Sequence, residues 1–113
     1  FADWHRLSGG RPILIGEFHF PLASPRQLPP LWEPFPEGER ETMFTTFVER
    51  WARQPWSLGC HWYQHADQPV LGRCTDGENQ TVGFVDVTDT PYEHLVRAAR
   101  TAAASMYTWH AAM

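Results

Sequence analysis

The sequence has few cysteines, few basic residues and no long apolar run. Its 113 residues include two cysteines, Cys60 and Cys74, too few for a disulfide framework and without metal-ligand spacing. A disulfide bridge between these two cysteines stays an open possibility.

Nine basic residues against 13 acidic ones give a net charge of −4, and the sequence has no basic cluster that would argue for nucleic acid as a partner. The sequence has no run of about 18 apolar residues, the length that a membrane-spanning helix requires. No secretory signal opens the chain, because residues 1–7 are typical of a helix end. One small soluble domain is expected.

Aromatic residues are abundant instead, with six Trp and seven Phe. Some must form the core, because aromatic side chains bury the most area per residue. Others stand among polar neighbours, as in residues 61–65, and that company is less typical of a core.

Two apolar runs predict strands, and two periodic segments predict helices. The strands cover residues 12–20 and 57–64, and the helices cover residues 39–53 and 91–107. The first of these helices has apolar residues at three- and four-residue spacing, and the second begins with an apparent capping box, with Thr90 at the N-cap. Residues 21–38 are rich in Pro and predict a long loop. Alternation of strands and helices indicates an α/β protein with a parallel sheet.

The first strand contains one carboxylate, Glu17, in an otherwise apolar run. Side-chain alternation places Glu17 and His19 on one face and Phe18 on the other. An unpaired buried carboxylate is costly, so Glu17 is either paired with a cation or used in function.

Polar and aromatic residues follow the predicted carboxyl ends of both strands. In α/β folds this edge is where ligands bind. The residues expected there are Glu17, His19, Trp62, Gln64, Asp67, Glu78 and Asn79.

Such a set suits a sugar. An aromatic ring stacks on the apolar face of a pyranose, and polar side chains bind its hydroxyl groups. Glu17 could attack an anomeric carbon, which requires a second carboxylic acid roughly 5–5.5 Å away. Asp67 and Glu78 are the nearby candidates, and neither lies on a strand.

A metal or cofactor is not expected. His61 and His65 lie about 13 Å apart on an extended strand, too far to share an ion. Asp76, Glu78 and Asn79 do not have EF-hand spacing, so they are a weak indication of calcium.

Three segments in this order resemble the last quarter of a retaining glycoside hydrolase of the (β/α)8-barrel type, closest to β-agarases and related to β-galactosidases. They are PILIGEF (12–18), GCHWYQHADQP (59–69) and DGENQTVGFVDVTDTPY (76–92). The resemblance implies that the chain holds barrel strands seven and eight, an incomplete barrel forming a single fragment, 1–113. It matches Glu17 to the nucleophile and Trp62 to the sugar platform.

The acid/base glutamate of the family lies on the fourth strand, which this chain lacks. The resemblance therefore implies a fragment of an enzyme that cleaves β-linked galactan such as agarose, itself inactive. The parent enzyme is expected to be secreted or periplasmic. Self-association through exposed strand edges is also expected. The alternative is a non-catalytic carbohydrate-binding or pseudo-enzyme domain.

Overall fold

The computed structural model describes residues 1–23 and 35–112, and within them five elements follow one another along the chain. These are α1 (Ala2–Leu7), β1 (Ile13–Phe18), α2 (Glu39–Ala52), β2 (Ser57–Trp62) and α3 (Glu93–Ala111). The predicted order of strands and helices is confirmed. Most of the predicted loop at 21–38 lies outside the described residues.

The two strands form a parallel pair, as the alternation of elements predicted. Ile13 lies beside Ser57 and Phe18 lies beside Trp62, with irregular register between these points. Both strands are shorter than predicted and end at the aromatic pair. Within the described ranges the sheet has two strands, so the α/β class is confirmed, whereas the assignment to barrel strands seven and eight stays a prediction.

Helix α2 packs its apolar stripe towards the sheet and α3. Phe44, Val48 and Trp51 are buried. The helix begins after Gly38, whose N–H donates a 2.5 Å hydrogen bond to Oε2 of Glu41. This bond satisfies one of the backbone donors that a helix start leaves free.

Helix α3 begins two residues later than predicted and extends further. The predicted cap at Thr90 is wrong, because the helix begins at Glu93 after Tyr92, without a side-chain cap. Thr90 instead belongs to a turn in which its N–H and that of Thr88 donate to Oδ1 of Asp86. No helix among the described residues is both long and apolar enough to span a membrane.

The sheet is less buried than the apolar run predicted. No residue of β1 is fully buried, and Leu14 and Leu58 are 49% and 68% exposed. Two paired strands cannot cover both faces, which accounts for this exposure. Cys60 and Cys74 are free thiols, so the bridge left open by the sequence does not form.

Candidate functional site

Glu17 lies at the carboxyl end of β1 and is exposed. Its neighbour Phe18 stacks on Phe47 of α2, so the helix-covered face of the strand belongs to Phe18. Glu17 points to the opposite face by strand alternation. Its carboxylate makes no hydrogen bond or ion pair with any described residue. No described residue therefore supplies the cation of the structural ion pair that the sequence left open for Glu17.

His19 and Tyr63 meet just beyond the ends of the two strands. Their ring centroids are 5.9 Å apart, with the planes inclined by 52°. The Nδ1 atom of His19 is buried and has no hydrogen-bond partner. Tyr63 immediately follows Trp62, so its side chain leaves the strand on the face shared with Glu17. An aromatic surface and an unsatisfied imidazole nitrogen therefore lie at this edge of the sheet.

A single arginine in the loop after β2 holds the hydroxyl group of Tyr63. Nη1 of Arg73 donates a 2.7 Å hydrogen bond to the Tyr63 phenol oxygen. Nε and Nη2 of the same guanidinium donate to the two oxygens of Asp76, each at 2.7 Å. Nη2 also lies 3.0 Å from Oε2 of Glu78. The hydrogen bonds from Arg73, with one from the Glu78 N–H, hold the pKa of Asp76 down at about 2.

The other predicted polar residues of this loop mostly bind the loop itself. Glu78 accepts a 2.5 Å bond from the amide of buried Gln68. The amide of Asn79 donates to the carbonyl of Val70 at 3.2 Å. Gln64 donates to the carbonyl of Ala66 at 2.9 Å. Glu78 and Asn79 thus fix the loop that borders the site.

Asp67 belongs to a second cluster, which faces α2 and α3. Its oxygens accept hydrogen bonds from the Gly83 N–H at 2.7 Å and from the Tyr92 hydroxyl at 2.5 Å. Burial raises the pKa of Asp67, and these bonds oppose the rise. Arg40, also buried, donates at 2.5 Å to the carbonyl of Gly83 and lies 5.0 Å from the Tyr92 ring centroid. These contacts give Asp67 a structural role in the loop after β2, and its assignment to the substrate site stays a prediction.

Trp62 lies beside Phe18, on the face opposite that of Glu17 by strand alternation. Its indole packs 5.2 Å from Phe44 and 5.7 Å from Phe84, centroid to centroid. Its N–H donates to the carbonyl of Val82 at 2.9 Å. These contacts pack the partly buried indole against the core on the helix-covered face. The assignment of Trp62 as the sugar platform stays a prediction.

Sequence reasoning missed Tyr63 and Arg73. Side-chain alternation along β2 places Tyr63 on the face opposite Trp62. Because Trp62 pairs with Phe18, that face is also the face of Glu17. No signal in the sequence identifies Arg73, because its contact depends on the loop path.

The described residues contain no group of three or more His, Cys, Asp or Glu side chains arranged to hold a metal ion. The chemistry at the strand ends is that of a free carboxylate, an imidazole and a phenol.

Solved structures similar to this chain include agarases and a glucuronidase. An exo-β-agarase is 37% identical with a TM-score of 0.86, covering 96% of this chain and 15% of that chain. The agarase AgWH50C is 34% identical with a TM-score of 0.85, covering 96% and 17%. A β-D-glucuronidase from Dictyoglomus thermophilum, at 20% identity and a TM-score of 0.64 over 90% of this chain and 17% of its own, shares the fold alone. The chain therefore has the α/β architecture of a glycoside hydrolase segment.

Curated sequences define the relationship more closely. β-Agarase B from Vibrio sp. (strain JT0107) is 39% identical over 101 residues, which are 88% of this chain and 11% of that protein. β-Agarase A from the same strain is 39% identical over 98 residues, or 86% and 10%. No protein-family profile matches the chain. The chain is homologous to β-agarases, and it spans about a tenth of the length of these curated relatives.

Proposed function

We propose that this chain forms the nucleophile-bearing part of a retaining glycoside hydrolase that cleaves β-linked galactan of the agarose type. The observation that supports this most directly is the position of Glu17. An exposed carboxylate without a partner among the described residues stands at the carboxyl end of a parallel strand, on the face away from the helices. The similarity to agarases over most of the chain supports the substrate class.

In this proposal β1 and β2 are the seventh and eighth strands of a (β/α)8 barrel, and the remaining strands come from a longer polypeptide. Their parallel pairing is consistent with two neighbouring strands of such a barrel. Helices α2 and α3 then form part of the outer ring.

Glu17 acts as the nucleophile in two steps. One carboxylate oxygen forms a bond to the anomeric carbon as the glycosidic C–O bond breaks, and an acid outside this chain protonates the leaving oxygen. Water then attacks the anomeric carbon, the same outside residue accepts the water proton, and Glu17 is released as a carboxylate. Asp67 is poorly suited to be that acid, because Gly83 and Tyr92 already occupy its oxygens.

The residues around Glu17 bind the sugar. Tyr63 offers an aromatic surface on the side of Glu17, and the imidazole of His19 lies beside it, 5.9 Å away between ring centroids. The loop fixed by Glu78 and Asn79 shapes the border of the cleft.

The test is Glu17→Gln in the full-length polypeptide that carries this chain. Turnover of agarose should fall by at least about a thousandfold, while binding of an agarose-derived tetrasaccharide stays within threefold of the unsubstituted enzyme. Glu39→Gln is the matched control, since Glu39 is an equally exposed glutamate at the start of α2. Unchanged turnover in the Glu17 variant would remove Glu17 from the mechanism.

The stereochemistry needs a separate measurement. Proton NMR of the first-formed product should show the same anomeric configuration as the substrate, because two displacements at one carbon restore it. An inverted product would exclude a nucleophilic Glu17. A full-length polypeptide that binds the tetrasaccharide without hydrolysing it, and lacks an Asn-Glu pair at the end of an upstream apolar strand, would establish the non-catalytic alternative.

A further inference from the structure

The hydrogen bond between Arg73 and Tyr63 determines what the Tyr63 hydroxyl can still do. A phenol oxygen accepts hydrogen bonds and also donates one, whereas a guanidinium only donates. In the 2.7 Å contact Arg73 is therefore the donor and Tyr63 the acceptor. The O–H of Tyr63 remains free to donate, and no described residue accepts it.

The Arg73 side chain is itself held in place. Asp76 binds two of its nitrogens in a fork, and Glu78 contacts one of them. The backbone closes around the same residues, since the Arg73 N–H donates to the Glu78 carbonyl at 2.9 Å and the Gly77 N–H donates to the Arg73 carbonyl at 2.8 Å. A guanidinium held on several sides limits the directions available to the phenol oxygen that it contacts.

The Tyr63 ring is restrained on its other side by His19, 5.9 Å away between centroids. His19 and Tyr63 directly follow the ends of the two paired strands. The ring and the hydroxyl of Tyr63 are thus fixed by separate parts of the chain.

We infer that Arg73 is a positioning residue that aims the Tyr63 hydroxyl group at an oxygen atom of the bound sugar, and that Tyr63 determines specificity through this hydrogen bond. The inference rests on the proposed function, because the acceptor is a sugar oxygen. Arg73 itself does not touch substrate. Arg73 affects sugar binding only by orienting the hydroxyl group of Tyr63.

A double-mutant cycle tests this pathway in the full-length polypeptide. Tyr63→Phe should raise KM for an agarose-derived tetrasaccharide about tenfold, with kcat changed less than twofold. Arg73→Gln should raise KM three- to tenfold in the native background, and less than twofold when Tyr63 is already Phe. Arg53→Gln controls for the lost charge, since Arg53 also binds a carboxylate, that of Glu49, on the exposed side of α2.

An equal rise in KM from Arg73→Gln in both backgrounds would overturn the inference, because Arg73 would then act by folding the loop. An unchanged KM in Tyr63→Phe would overturn it as well.

Tyrosine labelled with ¹³C at Cζ gives a readout independent of hydrolysis. The signal that disappears in Tyr63→Phe identifies Tyr63, and it should shift in Arg73→Gln and again when the tetrasaccharide is added. If the sugar binds without moving this signal, the inference fails while the proposed function stands. If the polypeptide neither binds nor hydrolyses the sugar, the proposed function fails, and the response to Arg73→Gln still shows whether the Arg73–Tyr63 bond exists.

Discussion

The hydroxyl group of Tyr92 donates a 2.5 Å hydrogen bond to Oδ2 of Asp67. This bond joins the loop after β2 to the residue before α3, across 25 positions of the chain. Gly83 and Arg40 complete the same cluster, in which the Arg40 guanidinium lies 5.8 Å from the Trp62 ring centroid and 5.0 Å from that of Tyr92. The part of the chain that shapes the candidate site is thus fastened to the helical layer by buried polar contacts.

Removing the Tyr92 hydroxyl should destabilise the fold. Tyr92→Phe leaves one oxygen of half-buried Asp67 without its donor, so we expect a loss of about 1–3 kcal/mol in the free energy of unfolding. Urea denaturation measures this loss. Tyr107→Phe is the control, because Tyr107 is 82% exposed and should change stability by less than about 0.5 kcal/mol. Equal effects of the two substitutions would contradict the structural role of the Tyr92–Asp67 bond.

The raised pKa of Asp67 predicts the direction of a pH effect. Burial raises the pKa of Asp67 in the folded state, so above its unfolded value of about 3.9 the folded state binds more protons than the unfolded state. Asp67 therefore makes stability fall as the pH rises from about 4 through the folded pKa. Asp67→Asn should flatten that part of the stability profile, measured by urea denaturation at a series of pH values. A profile that keeps its slope would assign the effect to another group.

Gly83 is closely surrounded by backbone. A Cβ atom at this position would overlap the main chain at Asp67 and Val85. Gly83→Ala should therefore cost about 3 kcal/mol or more, because main-chain atoms cannot move aside as a flexible side chain can. Gly16→Ala in β1 is the control, since no atom lies within 4 Å of its Cβ position. Thermal melts of both variants give the comparison, and a stable Gly83→Ala protein would show that the loop path differs.

The two thiols should react at very different rates. Cys74 is exposed, whereas burial raises the pKa of Cys60 to about 11, which leaves little thiolate at neutral pH. A maleimide at pH 7 should modify Cys74 at least about tenfold faster, as measured by peptide mass spectrometry. Cys74→Ser should remove the fast site and leave the slow one. Rapid modification of Cys60 would indicate that the sheet opens readily.

The helical spacing of apolar residues and the alternation of side chains along the strands made most of the fold predictable. The contacts made by the loops were not predictable. The stripe of Phe44, Val48 and Trp51 repeats at helical spacing, and the strand runs ended close to their observed limits. The start of α3 was misplaced because Asp86 draws the backbone of Thr90 into a turn, which competes with the helix cap.

Less of the candidate site than of the fold was predictable. Glu17 followed from a carboxylate in an apolar strand. The bonds of Asp67 to Tyr92 and of Arg73 to Tyr63 depend on the path of residues 66–90, which has no repeating pattern to read.

Substitutions of Trp62 and Tyr63 test which of the two aromatic residues the sugar stacks on. Its indole packs among Phe18, Phe44 and Phe84, so Trp62→Leu should cost about 2–3 kcal/mol in stability. At a temperature where this variant is folded, its KM for the tetrasaccharide should differ less than twofold from that of the unsubstituted polypeptide. Tyr63→Ala should show the reverse, with a KM raised at least about tenfold and a smaller loss of stability, because the ring lies beyond the strand ends rather than among the core aromatic residues. Calorimetry and steady-state kinetics on both variants separate these effects. If Trp62→Leu raised the KM without lowering stability, the indole of Trp62 would be the surface on which the sugar stacks.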